Sequence, residues 1–342
     1  MLSTSYKDTR AKTRTPVAID ALQWSQPYTR EAAHFWRQSD RRGIHVVEQP
    51  HRNDSSWLQR ATNLKDLSVS YDQDKRILWQ FMNPRERPSF TPDLLQDMQT
   101  VLDAVESSYS ETAENDEPDI RYLVLASKMR GVYNLGGDLP LFMELIDRKD
   151  TDGLRRYAHA CIDVQYRRAV NLNLPVCTIA LVQGDALGGG FEAALANDII
   201  IAEKSAKFGL PEILFNLFPG MGAYSFLSRR LDSARAEQLM LSGRLYSADE
   251  LKDLGIVDMV CEDGKGVEGV DSFIAEHQKA FKGRQAILQA RQIVNPVTHD
   301  ELVKVTDLWV DTAVTLEATD LRKMRHLAVA QNRRWAKMKV AA

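Results

Sequence analysis

A chain of 342 residues with 44% hydrophobic and 27% charged residues has a globular composition, in one large domain with appendages or in two domains. Its 44 Lys+Arg against 47 Asp+Glu leave a formal net charge of -3, which offers no global attraction to nucleic acid or to an anionic membrane. Apolar runs such as Val176–Val182 fall far short of the ~20 residues of a membrane-spanning helix, and the 3 cysteines, Cys161, Cys177 and Cys261, lack C-x-x-C spacing, so the expectation is a cytoplasmic protein without disulfides or zinc knuckles.

Residues 1–62 are polar and irregular, with Trp24, Trp36 and Trp57 isolated and one short strand expected at Ile44–Glu48. They read as an extension packed on the main domain, with no secretory apolar stretch. Leu67–Tyr71 and Ile77–Met82 predict a hairpin around Asp72-Gln73-Asp74. Apolar residues at 94, 95, 98, 102 and 105 predict a helix, and the acidic Glu111–Asp119 a solvated loop. Tyr122–Ala126 is a buried strand ahead of the Gly-rich Asn134–Asp138, and a long helix is expected from about Asp152 to Asn171. Val176–Val182 is a second buried strand, followed by Gly184, Gly188-Gly189-Gly190, a short helix over Phe191–Asn197 and a strand at Ile199–Ala202. Strands vanish after about residue 265, and 300–338 holds helix formers without Gly or Pro. Continuous apolar strands alternating with helices predict an α/β fold with a covered sheet over 63–265 and a helical region over 266–342.

Two glycine-rich loops follow buried strands: Asn134-Leu135-Gly136-Gly137-Asp138 and Gly184-Asp185-Ala186-Leu187-Gly188-Gly189-Gly190-Phe191-Glu192. Glycine admits a ligand close to backbone N–H groups, and the second loop opens a helix. One N–H from each loop can converge on a developing oxyanion; tight strand-to-helix packing without a ligand is the plainer alternative. Glu192 follows the triple glycine directly and Glu212 comes 20 residues later. Taken singly, the first is a first-turn helix carboxylate and the second a surface acid. Gly188-x-Gly190-x-x-Ala193 imitates a dinucleotide fingerprint. Its context is wrong: Gln183 to Leu187 intervene after the strand, the helix is short, and Glu212 follows a proline rather than a strand. No G-x-S-x-G elbow and no P-loop occur, and the 7 histidines are scattered, so no metal site is expected.

The blocks Gln183–Glu192, Asn197–Ala202, Ala206–Glu212 and Phe218–Gly222 resemble, in order and spacing, the crotonase (enoyl-CoA hydratase/isomerase) superfamily over roughly residues 65–265. Within it, Asn134–Leu139, Leu214–Phe226 and Trp309–Ala313 are similar to the diffusible-signal-factor synthases, bacterial enzymes that make cis-2-unsaturated fatty acid signals for quorum sensing. The resemblance implies a crotonase-like fold of ββα repeats around a spiral sheet core. It implies an oxyanion hole from the N–H groups of Gly137 and Gly189, two catalytic glutamates at Glu192 and Glu212, no cofactor, and a trimer or hexamer. Two departures stand out: Asn216 where Gly is usual, and Gly222-Ala223-Tyr224-Ser225-Phe226-Leu227 in place of Gly-Gly-Thr-Gln-Arg-Leu, which favours the synthase branch over an ordinary β-oxidation hydratase.

The expected activity is therefore dehydration of a 3-hydroxyacyl thioester with thioesterase action. The alternatives are an enoyl-CoA hydratase or isomerase and a non-catalytic acyl-binding protein. Met221, Trp309 and Leu327 are expected to wall the acyl chain, although the helical spacing of Leu321, Met324 and Leu327 more often means simple core. The expected partners are a CoA or acyl-carrier-protein thioester and a signalling sensor. From Leu321 onward seven basic residues and no acid offer either a solvated face or a dock for an acidic carrier.

Overall fold

The computed structural model describes residues 59, 61, 64–111 and 120–340; the expected strand at Ile44–Glu48, the three early tryptophans and most of the acidic loop after Glu111 lie outside the described residues. Strands β1 (Leu67–Asp72) and β2 (Ile77–Met82) form the expected antiparallel hairpin, in a register that pairs Leu67 with Met82. Helix α1 (Pro92–Glu111) starts where Thr91 Oγ1 accepts the Leu94 N–H and Pro92 opens the first turn. Next come β3 (Tyr122–Ser127), β4 (Gly131–Asn134), α2 (Leu139–Asp147) and α3 (Thr151–Ala169). Asp138 and Asp150 cap the two helices, accepting the N–H groups of Leu141 and Gly153. Then β5 (Cys177–Val182), β6 (Gly184–Leu187), α4 (Gly189–Leu195), β7 (Ile199–Glu203) and β8 (Lys207–Gly209) lead to a 3-10 turn at Pro211–Phe215. The chain continues through α5 (Ala223–Arg230), α6 (Ser233–Ser242), β9 (Leu245–Ser247), α7 (Ala248–Asp253) and β10 (Met259–Cys261). It closes with α8 (Gly266–His277), α9 (Phe281–Val294), α10 (His299–Ala313) and α11 (Ala318–Val340).

The strands divide between two sheets. One runs β1-β2-β3-β5-β7-β10 and the other β4-β6-β8-β9. Each of the pairs β3/β4, β5/β6 and β7/β8 sends its first strand to the larger sheet and its second to the smaller one. This is the crotonase-like α/β fold of ββα repeats, with a helical C-terminal region. The larger sheet is covered on both faces, which explains its unbroken apolar strands. Leu78, Leu123, Ala180 and Ile200 belong to the main core with α1 and α3, while Trp79, Val124, Ile179 and Ile201 pack under α8. Among the described residues no helix is long and apolar enough to cross a membrane.

Several local expectations need correction. Gly184–Leu187 is not a plain loop but strand β6, paired with β4 and β8. The helix after the triple glycine begins at Gly189 and ends at Leu195, two residues earlier at each end than Phe191–Asn197. The helix formers over 300–338 fall, as the helical region expected there, into two helices, α10 and α11, with a break between Ala313 and Ala318.

Candidate active site

The loop after β4 and the start of α4 are pressed together. A Cβ on Gly136, whose φ is +92°, would stand 2.8 Å from the Gly189 nitrogen and 2.9 Å from the Leu187 carbonyl oxygen, so only glycine permits the approach. Along the first loop, the Leu135 N–H donates to the Pro88 carbonyl (2.7 Å), the Gly136 N–H to Asn134 Oδ1 (2.7 Å) and the Asp138 N–H to Tyr157 Oη (3.0 Å). The Gly137 N–H alone of this run has no acceptor among the described residues. Gly189 is the first residue of α4, and its N–H likewise has none. Both glycines line one cavity. Two spare donors side by side at a cavity wall are what a developing oxyanion requires.

The packing around these two positions itself favours glycine. A Cβ on Gly137 would lie 2.5 Å from Cζ of Phe142, and one on Gly189 would collide with Met221 Sδ. Packing against the cavity wall already excludes side chains there.

Glu192 and Glu212 line the same cavity. Glu192 sits in the first turn of α4, fully buried, and its Oε1 accepts the N–H groups of Met221 (2.7 Å) and Ala223 (2.9 Å). Burial pushes its carboxyl up to about 7, and the two amides oppose that rise by favouring the anion. Glu212 is carried by the 3-10 turn after β8, ended by Asn216 in the left-handed region at φ 62°, where an Asn replaces the usual Gly without strain. Glu212 is partly exposed as a residue, but its Oε2 is covered and has no partner. Burial first, and the Glu192 charge second, push its carboxyl well above the usual range. Gly188, at φ +51°, makes room for it: a Cβ there would meet Glu212 Oε1 at 2.5 Å. Both carboxyls are held above their ordinary range, and Glu192 is the first of the pair to ionise, since its charge is what raises Glu212 further.

Met221, Trp309 and Leu327 all line the cavity too. Trp309, on α10, is 5% exposed and packs its ring against Phe142 (centroids 5.0 Å apart) and over Gly220, whose missing Cβ makes the room. Trp309 and Leu327 are core and wall at once, whereas Met324 is fully buried and absent from the lining. Among the lining residues that sequence reasoning missed are Phe142, Tyr157, Cys161 and Gln331. Tyr157 and Cys161 are one turn apart on α3, but that spacing does not separate a cavity face from a packed one. Among the described residues no group of three His, Cys, Asp or Glu could hold a metal ion.

The sequence matches the enoyl-CoA hydratase/isomerase family over residues 76–335. The enoyl-CoA isomerase/hydratase fer4 of Mycosarcoma maydis is 28% identical over 242 residues, which are 70% of this chain and 84% of that protein. The mitochondrial methylglutaconyl-CoA hydratase of Rattus norvegicus is 31% identical over 218 residues, 63% of this chain and 64% of that one. The crystal structure of enoyl-CoA hydratase from Bacillus halodurans shares the fold with a TM-score of 0.62 at 23% identity, over 76% of this chain and 98% of its own.

Proposed function

The chain belongs to the enoyl-CoA hydratase/isomerase family, and from that premise we propose that the cavity binds an acyl thioester and dehydrates its 3-hydroxyacyl form to the 2-enoyl form. The observation that carries this reading is the pair of unlike carboxylates, Glu192 with two amides on Oε1 and Glu212 with a covered Oε2 that has no partner, in one cavity with two spare N–H donors. In the proposed reaction the thioester oxygen lies between the N–H groups of Gly137 and Gly189. Glu192 takes the α-proton, the electron pair moves into the enolate held by those donors, and it returns as the C–O bond to the 3-hydroxyl breaks. Glu212 gives its proton to that oxygen, which departs as water. Each donor is worth about 3–4 kcal/mol in comparable oxyanion holes.

The finer reading is a synthase of cis-2-unsaturated fatty acid signals, supported by the motif resemblance around Asn134–Leu139 and Gly222–Leu227. Here a water, deprotonated by a carboxylate, adds to the thioester carbon; the C–S bond breaks and the thiol leaves with a proton. The exposed cations Arg322, Lys323, Arg325 and Arg333 on α11 favour an acidic acyl carrier protein as the donor of the chain. A cytoplasmic site of action and assembly into trimers or hexamers belong to the same reading, as does a signalling-sensor partner.

Liquid chromatography–mass spectrometry of the purified protein with 3-hydroxydodecanoyl-CoA and the matching acyl-carrier thioester is the test. Free 2-enoic acid supports the synthase reading. Enoyl-CoA without free acid reduces it to a hydratase, for which the names of the two relatives speak. No conversion of either thioester overturns both.

A further inference from the structure

Tyr157 has no part in the chemistry described above, yet its hydroxyl is fully committed. It donates to the Phe90 carbonyl (2.5 Å) and accepts the Asp138 N–H (3.0 Å). Phe90 in turn donates its N–H to the Gly136 carbonyl (2.8 Å) and pairs with Gly137 as an isolated parallel bridge. The Gly137 peptide unit therefore has an anchor on each side, and both anchors meet at one phenol. A trans peptide holds its C=O and N–H pointing in opposite directions. With the Gly136 C=O turned to Phe90, the Gly137 N–H of the same peptide is turned away from Phe90, and Gly137 itself lines the cavity. The peptide after Gly137 is fixed by the Asp138 N–H bond to Tyr157.

We propose that Tyr157 is a positioning residue for the Gly137 oxyanion donor: its hydroxyl clamps Phe90 and Asp138, and through them sets the direction of the one unpaired N–H in the loop. The ring is held as well, lying edge-on to Phe142 with centroids 5.2 Å apart, so the phenol has little room to turn. Burial pushes its ionisation well above the ordinary range, which keeps the donor to Phe90 protonated at working pH. Plain core packing would need the ring but not the hydroxyl. The bonds to Phe90 and Asp138, together with the hydroxyl's contact with the Cys161 thiol, are what a phenylalanine would lose.

The proposal rests on the oxyanion reading of Gly137 and is tested so that the two fail separately. Dodecanoyl-CoA carrying 13C at its carbonyl lacks the 3-hydroxyl and cannot dehydrate, and its spectra are recorded before the thioesterase action proposed above has consumed it. Its thioester stretch is read by isotope-edited infrared spectroscopy when bound to the parent enzyme, to Tyr157→Phe, and to Leu251→Ala as a buried control in α7, away from the cavity. The parent is expected to shift the stretch to lower frequency. Tyr157→Phe should lose part of that shift and about tenfold in kcat on 3-hydroxydodecanoyl-CoA, with KM within about twofold, the pattern of an interaction made mainly in the transition state. Leu251→Ala should lose melting temperature only. A parent without a shift sinks the oxyanion reading itself. A parent with a shift that Tyr157→Phe retains in full, or an undiminished kcat, overturns the role of Tyr157. Should the Phe variant not fold, p-aminophenylalanine at 157 keeps a donor for Phe90 but is a poor acceptor for Asp138. Its stretch is expected to lose part of the parent's shift, and one equal to the parent's overturns the proposal.

Discussion

Glu192 and Glu212 line the same cavity under opposite solvation: Oε1 of Glu192 accepts two backbone N–H groups, whereas Oε2 of Glu212 is covered and accepts none. The difference comes from the backbone. The Pro-Gly turn before α5 turns the Met221 and Ala223 amides onto Glu192, and the 3-10 turn that carries Glu212 supplies no donor to Oε2. Glu192→Ala and Glu212→Ala should each fold and each lose dehydration at least ~100-fold, the usual contribution of a general acid–base group. Near-normal turnover by either variant, with unchanged circular dichroism, would remove the two-carboxylate mechanism.

The same asymmetry fixes a pH response. In the free enzyme kcat/KM should rise with pH through about 7 as Glu192 ionises, and fall at higher pH as Glu212 gives up its proton. Stability carries the opposite slope. The folded state holds the Glu192 proton above the ordinary value of 4.5, so it binds more protons than the unfolded chain between about 4.5 and 7, and stability falls as pH rises through that window. Glu192→Gln, which can still accept an amide, should show a smaller drop in melting temperature between pH 5 and pH 8 than the parent. An equal drop in both proteins would assign the slope to other groups.

Gly189 and Met221 should behave as a coupled pair. Gly189→Ala places a methyl on Met221 Sδ, an overpacking that typically costs ~1–3 kcal/mol. Met221→Ala removes the obstacle, so Gly189→Ala should lower the melting temperature far less in the Met221→Ala background than in the parent. Additive losses in a thermal double-mutant cycle would show that the Met221 contact is not what demands glycine.

Trp309 bridges wall and core, and its truncation should register in both. Trp309→Ala is expected to lower stability by about 3–5 kcal/mol, as large-to-small core changes do. It should also move the ratio of kcat/KM values toward longer or branched 3-hydroxyacyl thioesters, because the ring faces the cavity beside Phe142. Denaturant melts and a chain-length series on the same preparation check both; a stability loss with an unmoved series would leave Trp309 in the core alone.

Much of this site is legible in the order of residues. Gly137 and Gly189 in loops after buried strands, and the acids Glu192 and Glu212, are local signals, and all four line one cavity. The smaller sheet is not legible. Its strands, Gly131–Asn134, Gly184–Leu187, Lys207–Gly209 and Leu245–Ser247, are three or four residues long, and three of them contain glycine. Such segments are too short to show a period and become strands only through their neighbours. The anchoring of the first loop by Phe90 and Tyr157 joins residues 67 apart in the chain, a pairing that no window of sequence displays.

Helix α11 supplies Leu327 and Gln331 to the cavity wall and presents Arg322, Lys323, Arg325 and Arg333 to solvent. Its pairings are loose: Lys323 lies 3.5 Å from Asp320 and Arg325 4.0 Å from Asp147, contacts that contribute little at an exposed surface. Arg322 and Arg333 are eleven residues, about three turns, apart on this helix and therefore share a face. An acidic carrier protein drawn to that face would gain mainly in encounter rate, and the gain would fade with salt as the Debye length shrinks from ~10 Å at 0.1 M to ~3 Å at 1 M. Arg322→Glu with Arg333→Glu should therefore lower kcat/KM for the acyl-carrier substrate several-fold at low salt, shrink that deficit at high salt, and leave kcat/KM for a short N-acetylcysteamine thioester unchanged. Parallel kinetics on both substrates at two salt concentrations decide the matter. A loss shared equally by the two substrates, or no loss on either, assigns these cations to an ordinary solvated helix face.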